Sequence, residues 1–372
     1  MRWWSFCIYG AVWSAATSLL AGAPLRPPVV TGPSAALEHR LLDDAADGEL
    51  HDHSLLSAAL IASGVDDRDR LPGYEKKLSA LHSELRSQVK HLPSPRDRAA
   101  TVLTLLHRDV LTGAFDASCS SVAATLDTGR YNCVTTTILF VALAEAIDLP
   151  TSIIHAPGHV RVRIEGSSPL ELEPTCAAWF TQAEPQLLPT REATRVIAFT
   201  ALLGKLYYNR GIEALEARQF ADAIDAFERS RALDSLDSTA QQNLLAALNN
   251  GALALCDERQ FVAASQWLAK AERLDPAYPP LAANDLHLHG QWLIALCEAA
   301  RYADAIELID RGLARRPQAE LFRAGRSAVY RLWAEDLLRR GEPHAALARI
   351  EAGLAIAPHD AVLQQLKTRL AP

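Results

Sequence analysis

Positive charge is in short supply in this chain: 37 Lys and Arg stand against 44 Asp and Glu, a formal net charge of -7. A protein whose main partner is nucleic acid needs clustered cations to meet phosphate, so this balance argues against such a partner. No two of the six cysteines (Cys7, Cys119, Cys133, Cys176, Cys256 and Cys297) form a C-x-x-C pair, which removes the zinc-ribbon and thioredoxin-like readings. The histidine pairs His51/His53 and His287/His289 have no convincing third ligand beside them. No metal site is expected, and no cofactor is called for. Glycine (18) and proline (20) are too ordinary for a fibrous or disordered chain. No Leu-x-x-Cys pattern precedes a small residue at Cys7, so lipidation carries little weight.

With 372 residues and a hydrophobic fraction of 49%, the chain has material for two or three domains with sizeable cores. Its amino end is distinctive. Residues 3–25 carry no charge, and Ala21-Gly22-Ala23 suits an A-x-A signal-peptidase site, although Pro24 fits poorly just after the cut. Residues 1–23 are therefore expected to be an export signal, with an uncleaved membrane anchor over residues 3–25 as the rival reading. Export to the periplasm or cell envelope follows from either. Past Cys7, five cysteines remain, so at least one is expected to be free or reactive in an oxidising compartment unless pairing is intermolecular.

Residues 24–73 read as a linker with short helices. Leu78, Leu81, Leu85 and Val89 then recur at helical spacing. Ser94-Pro95 can open a further helix with Ala99, Val102, Leu103 and Leu106 as its apolar stripe. Asn132 is a plausible cap for a helix that is apolar over most of its circumference and is expected to end near Asp148, ahead of Pro150. After Pro157-Gly158, Val160, Val162 and Ile164 alternate with Arg161, Arg163 and Glu165, the pattern of a half-buried strand. Leu170 and Leu172 alternate with Glu171 and Glu173 in a second short strand.

From residue 190 onward the pattern is helical and internally repeated. Phe220, Phe261 and Tyr302 are spaced by 41 residues, as are Ala223, Ala264, Ala305 and Ala346, and Pro276, Pro317 and Pro358. Hairpins of helices that cannot bury their apolar faces alone stack into an array. The repeats resemble tetratricopeptide hairpins with about seven additional residues over the usual period of ~34, placed in the links or in the helices. Pro343 stands where the last unit would have its aromatic. The concave groove of such an array suits a protein or peptide partner.

Three positions could do chemistry together. Cys133 opens the buried helix, and the first turn of a helix favours an anion such as a thiolate. His159 opens the first strand and Glu173 closes the second, so an imidazole held by a carboxylate could meet the sulfur. Each has a plain structural alternative: a core or disulfide cysteine, a turn histidine, a solvated glutamate. Tyr131 and Asn132 are candidates for stabilising an oxyanion, and His155 for a cleft residue. Cys176 is a candidate disulfide partner for Cys133.

The segment Gly129-Arg130-Tyr131-Asn132-Cys133-Val134-Thr135-Thr136 resembles the nucleophile motif of the transglutaminase-like superfamily. Leu139-Phe140-Val141-Ala142-Leu143-Ala144 with Leu149-Pro150, then Gly158-His159-Val160-Arg161-Val162, then Glu171-Leu172-Glu173-Pro174-Thr175, are similar to the motifs that follow in that family. Glu173 departs from the family's usual Asp. The resemblance spans residues 75–180 and implies an α+β papain-like, transglutaminase-core domain over residues 74–189, followed by an all-α tetratricopeptide-like superhelix over residues 190–372, as in a bacterial branch of the family. It implies Cys133 as nucleophile, His159 as general base and acid, and Glu173 as orienting acid. The expected activity is exported, cysteine-dependent amide hydrolysis or acyl transfer: a protease, deamidase or transamidase. A catalytically inactive scaffold that binds peptides or proteins in the cell envelope is the alternative.

Overall fold

The computed structural model describes residues 33–65, 70–183, 185–187 and 194–370. The expected export segment, residues 1–23, lies outside them, as do residues 24–32 and 66–69 of the linker that follows. Among the described residues no helix is long and apolar enough to cross a membrane. The chain is mostly helical, with one small antiparallel sheet and a helical, repeat-like carboxy-terminal region. Its contacts divide it into two units at Ala247/Leu248.

The first unit opens with α1 (Pro33–Asp44), α2 (Leu55–Ala62), α3 (Leu71–Val89) and α4 (Pro95–Asp109). Ser94 caps α4 by accepting from the Asp97 amide, and Pro95 supplies the fixed φ of a first helical residue. The short α5 (Val122–Thr128) ends at Gly129, whose φ of 74° is left-handed. A side chain there would meet the backbone of Gly113, so this position needs glycine for space as well as for conformation.

Helix α6 (Cys133–Glu145) is the centre of the unit. Residues 134–144 are all buried. Ile138, Leu139, Phe140 and Leu143 have no exposed surface and share one core with Val102 and Leu106 of α4 and Leu60 of α2. Each fully buried side chain of this size contributes about 1.5–3 kcal/mol of transfer free energy, so the position of the α6 start is strongly determined. The helix ends at Glu145, a turn earlier than its apolar run suggests. Asp148, at φ 53°, then reverses the chain while the Leu149 amide bonds back to the Ala144 carbonyl.

The sheet has the order β3-β2-β1-β4, built from β1 (Thr151–Ala156), β2 (His159–Ile164), β3 (Leu170–Leu172) and β4 (Arg195–Ile197), with every pair antiparallel. Opposed residues in a ladder share a face. The register therefore gathers Ile153, Val162, Leu172 and Ile197 on one face, and all four belong to the core of α6. Two expectations are corrected here. The helical pattern from residue 190 is interrupted by β4, three residues long and too short for alternation to declare it. Strand β2 is also not half-buried: Arg161 is covered too, its charge met by Glu171 at 2.7 Å.

Helices α7 (Phe199–Glu216) and α8 (Phe220–Leu233) form a hairpin that closes the first unit, and α9 (Ser238–Asp257) contains the division between units. The second unit continues with α10 (Phe261–Leu274), α11 (Leu281–Glu298), α12 (Tyr302–Arg315), α13 (Glu320–Arg339), α14 (Pro343–Ile356) and a last helix, α15 (Ala361–Leu370). The 41-residue interval sets the helix starts: Phe220, Phe261, Tyr302 and Pro343 each begin the second helix of a hairpin. The residues two before them that reverse the chain, Arg218, Arg259, Ala300 and Gly341, all have positive φ. Ala223, Ala264, Ala305 and Ala346 are wholly buried. The first helices of the hairpins are 18 to 20 residues long and the second helices 14.

Candidate active site

Asn132 adopts an extended conformation and its side-chain oxygen accepts from the Thr135 amide at 2.9 Å, while Thr135 Oγ1 accepts from the Asn132 amide at 3.1 Å. This reciprocal capping box fixes the start of α6, and hence Cys133 as its first residue. Cys133 is partly exposed and its thiol is free. The Asn132 amide nitrogen donates to the Ala117 carbonyl, so this side chain is spent on structure. The first turn of a helix leaves several N–H groups without intrahelical acceptors, and here the Thr135 amide is met by the Asn132 side chain.

His159 follows the Pro157-Gly158 turn, where Gly158 at φ 74° lets β1 fold back into β2. Its Nε2 lies 2.6 Å from Oε2 of Glu173, a buried residue just past the end of β3. The thiol of Cys133 is within hydrogen-bonding reach of the same imidazole. With Nε2 engaged by Glu173, Nδ1 is the ring nitrogen that remains for the sulfur. Burial alone would make His159 less basic, but its bonds to Cys133 and Glu173 and their charges outweigh this and raise its pKa to about 9. Sulfur, imidazole and carboxylate are thus joined through hydrogen bonds to one ring, drawn from a helix start, the first residue of β2 and the residue after β3.

Tyr131 precedes this set. Its carbonyl accepts from the Asp116 amide at 2.8 Å, and its ring meets Phe115 edge-on at 6.1 Å between centroids. Burial, then the neighbouring Cys176, push its phenol above the usual range. His155 goes elsewhere. Strand alternation puts it on the face opposite to Ala156, the ladder partner of His159. Burial first, then Lys205 and Arg195, lower its pKa to about 4. Lys205 is held between Asp234 at 3.1 Å and Asp237 at 2.6 Å. Cys176 is a free thiol that accepts from Gln182 at 3.3 Å, so the disulfide with Cys133 considered from the sequence is not formed.

Sequence reasoning passed over His107. This α4 residue donates from Nε2 to the Pro174 carbonyl at 2.9 Å, and its ring meets Tyr131 edge-on at 5.7 Å. A lone histidine on an amphipathic helix carries no signal in sequence; only the tertiary contact reveals it. Elsewhere, His53 bonds to Asp44 in a partly buried pair and His51 bonds to Asp47 at the surface. Among the described residues, no group of three or more His, Cys, Asp or Glu is arranged to hold a metal ion.

No protein-family profile and no curated protein matches this chain. Among solved structures, it is similar to a crystal structure of menin that reveals the binding site for Mixed Lineage Leukemia (MLL) protein, with a TM-score of 0.34, 10% identity, and coverage of 90% of this chain and 94% of that one. The expected membership of the transglutaminase-like superfamily is accordingly corrected: no family profile supports it, and the described chain is mostly helical with only a small sheet. The motifs behind that expectation are short, and local needs account for much of them. Gly129 caps α5, Asn132 caps α6 and Gly158 turns the hairpin.

Proposed function

We propose that this chain is a thiol-dependent acyl-transfer enzyme acting on amide bonds in proteins or peptides, by hydrolysis or transfer to an amine. The observation that carries the reading is the hydrogen-bonded set Cys133–His159–Glu173 at the start of a buried helix. The finer description of the fold, a papain-like helix-and-sheet core followed by a tetratricopeptide-like array that presents protein substrates, belongs to the same proposal. So does export to the periplasm or cell envelope, for which the uncharged residues 3–25 are the support.

The chemistry follows from the geometry. The Cys133 thiolate adds to the amide carbonyl, and its electron pair forms the C–S bond while the carbonyl oxygen becomes an oxyanion beside the helix-start N–H groups. The His159 imidazolium, held by Glu173, gives its proton to the nitrogen; the C–N bond breaks and the amine leaves. A thioester remains. Water or an incoming amine, deprotonated by the now neutral His159, attacks it and returns the thiolate and imidazolium. No cofactor enters this cycle.

A p-nitrophenyl ester offered to the full chain tests the reading. A burst of about one nitrophenolate per chain is expected, with the acyl mass found on the peptide containing Cys133 and absent from Cys133→Ser. Acylation that persists in Cys133→Ser, or no burst at all, counts against it. The second reading, a scaffold without turnover, draws on the exposed apolar residues Val262 and Ile294 of the repeat helices. It predicts no burst together with retention of a peptide partner that is lost in Val262→Asp/Ile294→Asp.

A further inference from the structure

We infer that His107 is a positioning residue for the Cys133–His159–Glu173 set, holding the segment that precedes the sulfur and the turn that follows the carboxylate in fixed register; this rests on the acyl-transfer reading above. The two halves of the set come from chain segments far apart in sequence. Cys133 and Tyr131 lie at the mouth of α6, whereas Glu173 begins a turn closed by the Cys176 amide on the Glu173 carbonyl at 3.0 Å. The next residue, Pro174, has no N–H of its own, and its carbonyl accepts from His107 Nε2 at 2.9 Å. The same imidazole meets the Tyr131 ring edge-on at 5.7 Å. One side chain of α4 therefore touches both segments without belonging to either.

The chemistry of the contact suits this role. Burial lowers the basicity of His107 and so favours the neutral ring, against a smaller opposing effect from the Pro174 carbonyl. A neutral imidazole has one N–H, and the bond to Pro174 places it on Nε2. The donor cannot shift to a second acceptor without abandoning this one. Helix α4 is itself fixed by the core, with Val102, Leu103 and Leu106 at 1% exposure or less. Rigidity is thus passed from the core through His107 to the residue next to Glu173, and Glu173 holds His159 at 2.6 Å. Reactive groups need placement to within about half an ångström, and a misplacement of 1 Å can cost on the order of a hundredfold in rate.

Two conservative variants separate positioning from mere packing. Glutamine carries its amide nitrogen near the place of imidazole Nε2; asparagine carries it near Nδ1, short of Pro174. His107→Gln and His107→Asn in the full chain are compared with wild type by the rate of iodoacetamide alkylation of Cys133 between pH 5 and 10, read by peptide mass spectrometry, alongside Tm. The expected result is a loss of about tenfold to a hundredfold in Cys133 reactivity near pH 6 for His107→Asn, most of it recovered in His107→Gln, at similar Tm for the two variants. Wild-type pH profiles in both variants overturn the inference, as does a loss in both that simply follows Tm. A wild-type chain whose Cys133 lacks reactivity near pH 6 overturns the acyl-transfer reading itself, and this inference with it.

Discussion

His155 and His159 stand on adjoining strands, yet their protons are driven in opposite directions. Burial disfavours the charged form of both. At His159 a thiol and a carboxylate reverse that cost, and the pKa rises to about 9; at His155 the nearby Lys205 and Arg195 add to it, and the pKa falls to about 4. Glu173→Gln removes the charge that supports the His159 imidazolium while keeping the side chain's size. Acylation of Cys133 in this variant is expected to slow by on the order of 10²- to 10⁴-fold, measured as the pre-steady-state burst rate. For His155 the sign is the reverse of a paired histidine. Between pH 6.5 and about 4 the unfolded chain binds a proton that the folded chain refuses, so stability is present above this window and is lost as pH falls through it. One such proton corresponds to about 1.4 kcal/mol per pH unit. His155→Gln is expected to narrow the gap between urea midpoints at pH 7.5 and pH 4.5; an unchanged gap would show that His155 does not carry this sensitivity.

The elements are where the sequence was most readable, and the reasons are local. Ser94-Pro95 announces α4 and Asn132 announces α6, because capping needs one side chain and one neighbour. Asn132→Ala breaks a reciprocal pair and is expected to cost about 1–2 kcal/mol, seen as a lower urea midpoint in the first unit. The 41-residue interval marked the hairpins because each repeats the same packing problem. It also extends to positions that were not singled out. Ser230, Ala271, Gly312 and Gly353 share one place in the repeat, and Ala240, Leu281, Phe322 and Leu363 share another. The smallest of the first group, the two glycines, face Phe322 and Leu363, and a Cβ on Gly312 would run into the Phe322 ring. Gly312→Ala is therefore expected to destabilise the second unit by about 1–3 kcal/mol, and Gly312→Ala/Phe322→Leu to recover part of the loss. A fully additive double variant would show that the pair does not interact. Strand β4 and the His107 contact escaped notice for the opposite reason: one is a three-residue segment that exists because β1 offers it an edge, the other a bond between residues 67 apart in the chain.

For the molecule as a whole, the outline of helices, small sheet and helical repeats could be read because it rests on periodicity, whereas a family could not be assigned on motifs a few residues long. A helical array is stabilised by its neighbours and needs a covered end. Helix α15 covers part of α13 and α14 in the second unit, where Leu363 and Leu366 form one cluster with Ala334 and Ile350. A chain ending at residue 360 is expected to show faster amide hydrogen exchange throughout α13 and α14; unchanged protection there would mean that the α15 contacts are dispensable.

The meeting of sulfur, imidazole and carboxylate is most directly tested by the pH dependence of alkylation at each thiol of the same chain. Cys176 and Cys297, partly exposed and free, serve as internal references. The geometry predicts that at pH 6 Cys133 reacts at least about tenfold faster than either, and that His159→Asn brings it down to their level. Three thiols that rise together with pH, with Cys133 indifferent to His159→Asn, would contradict it.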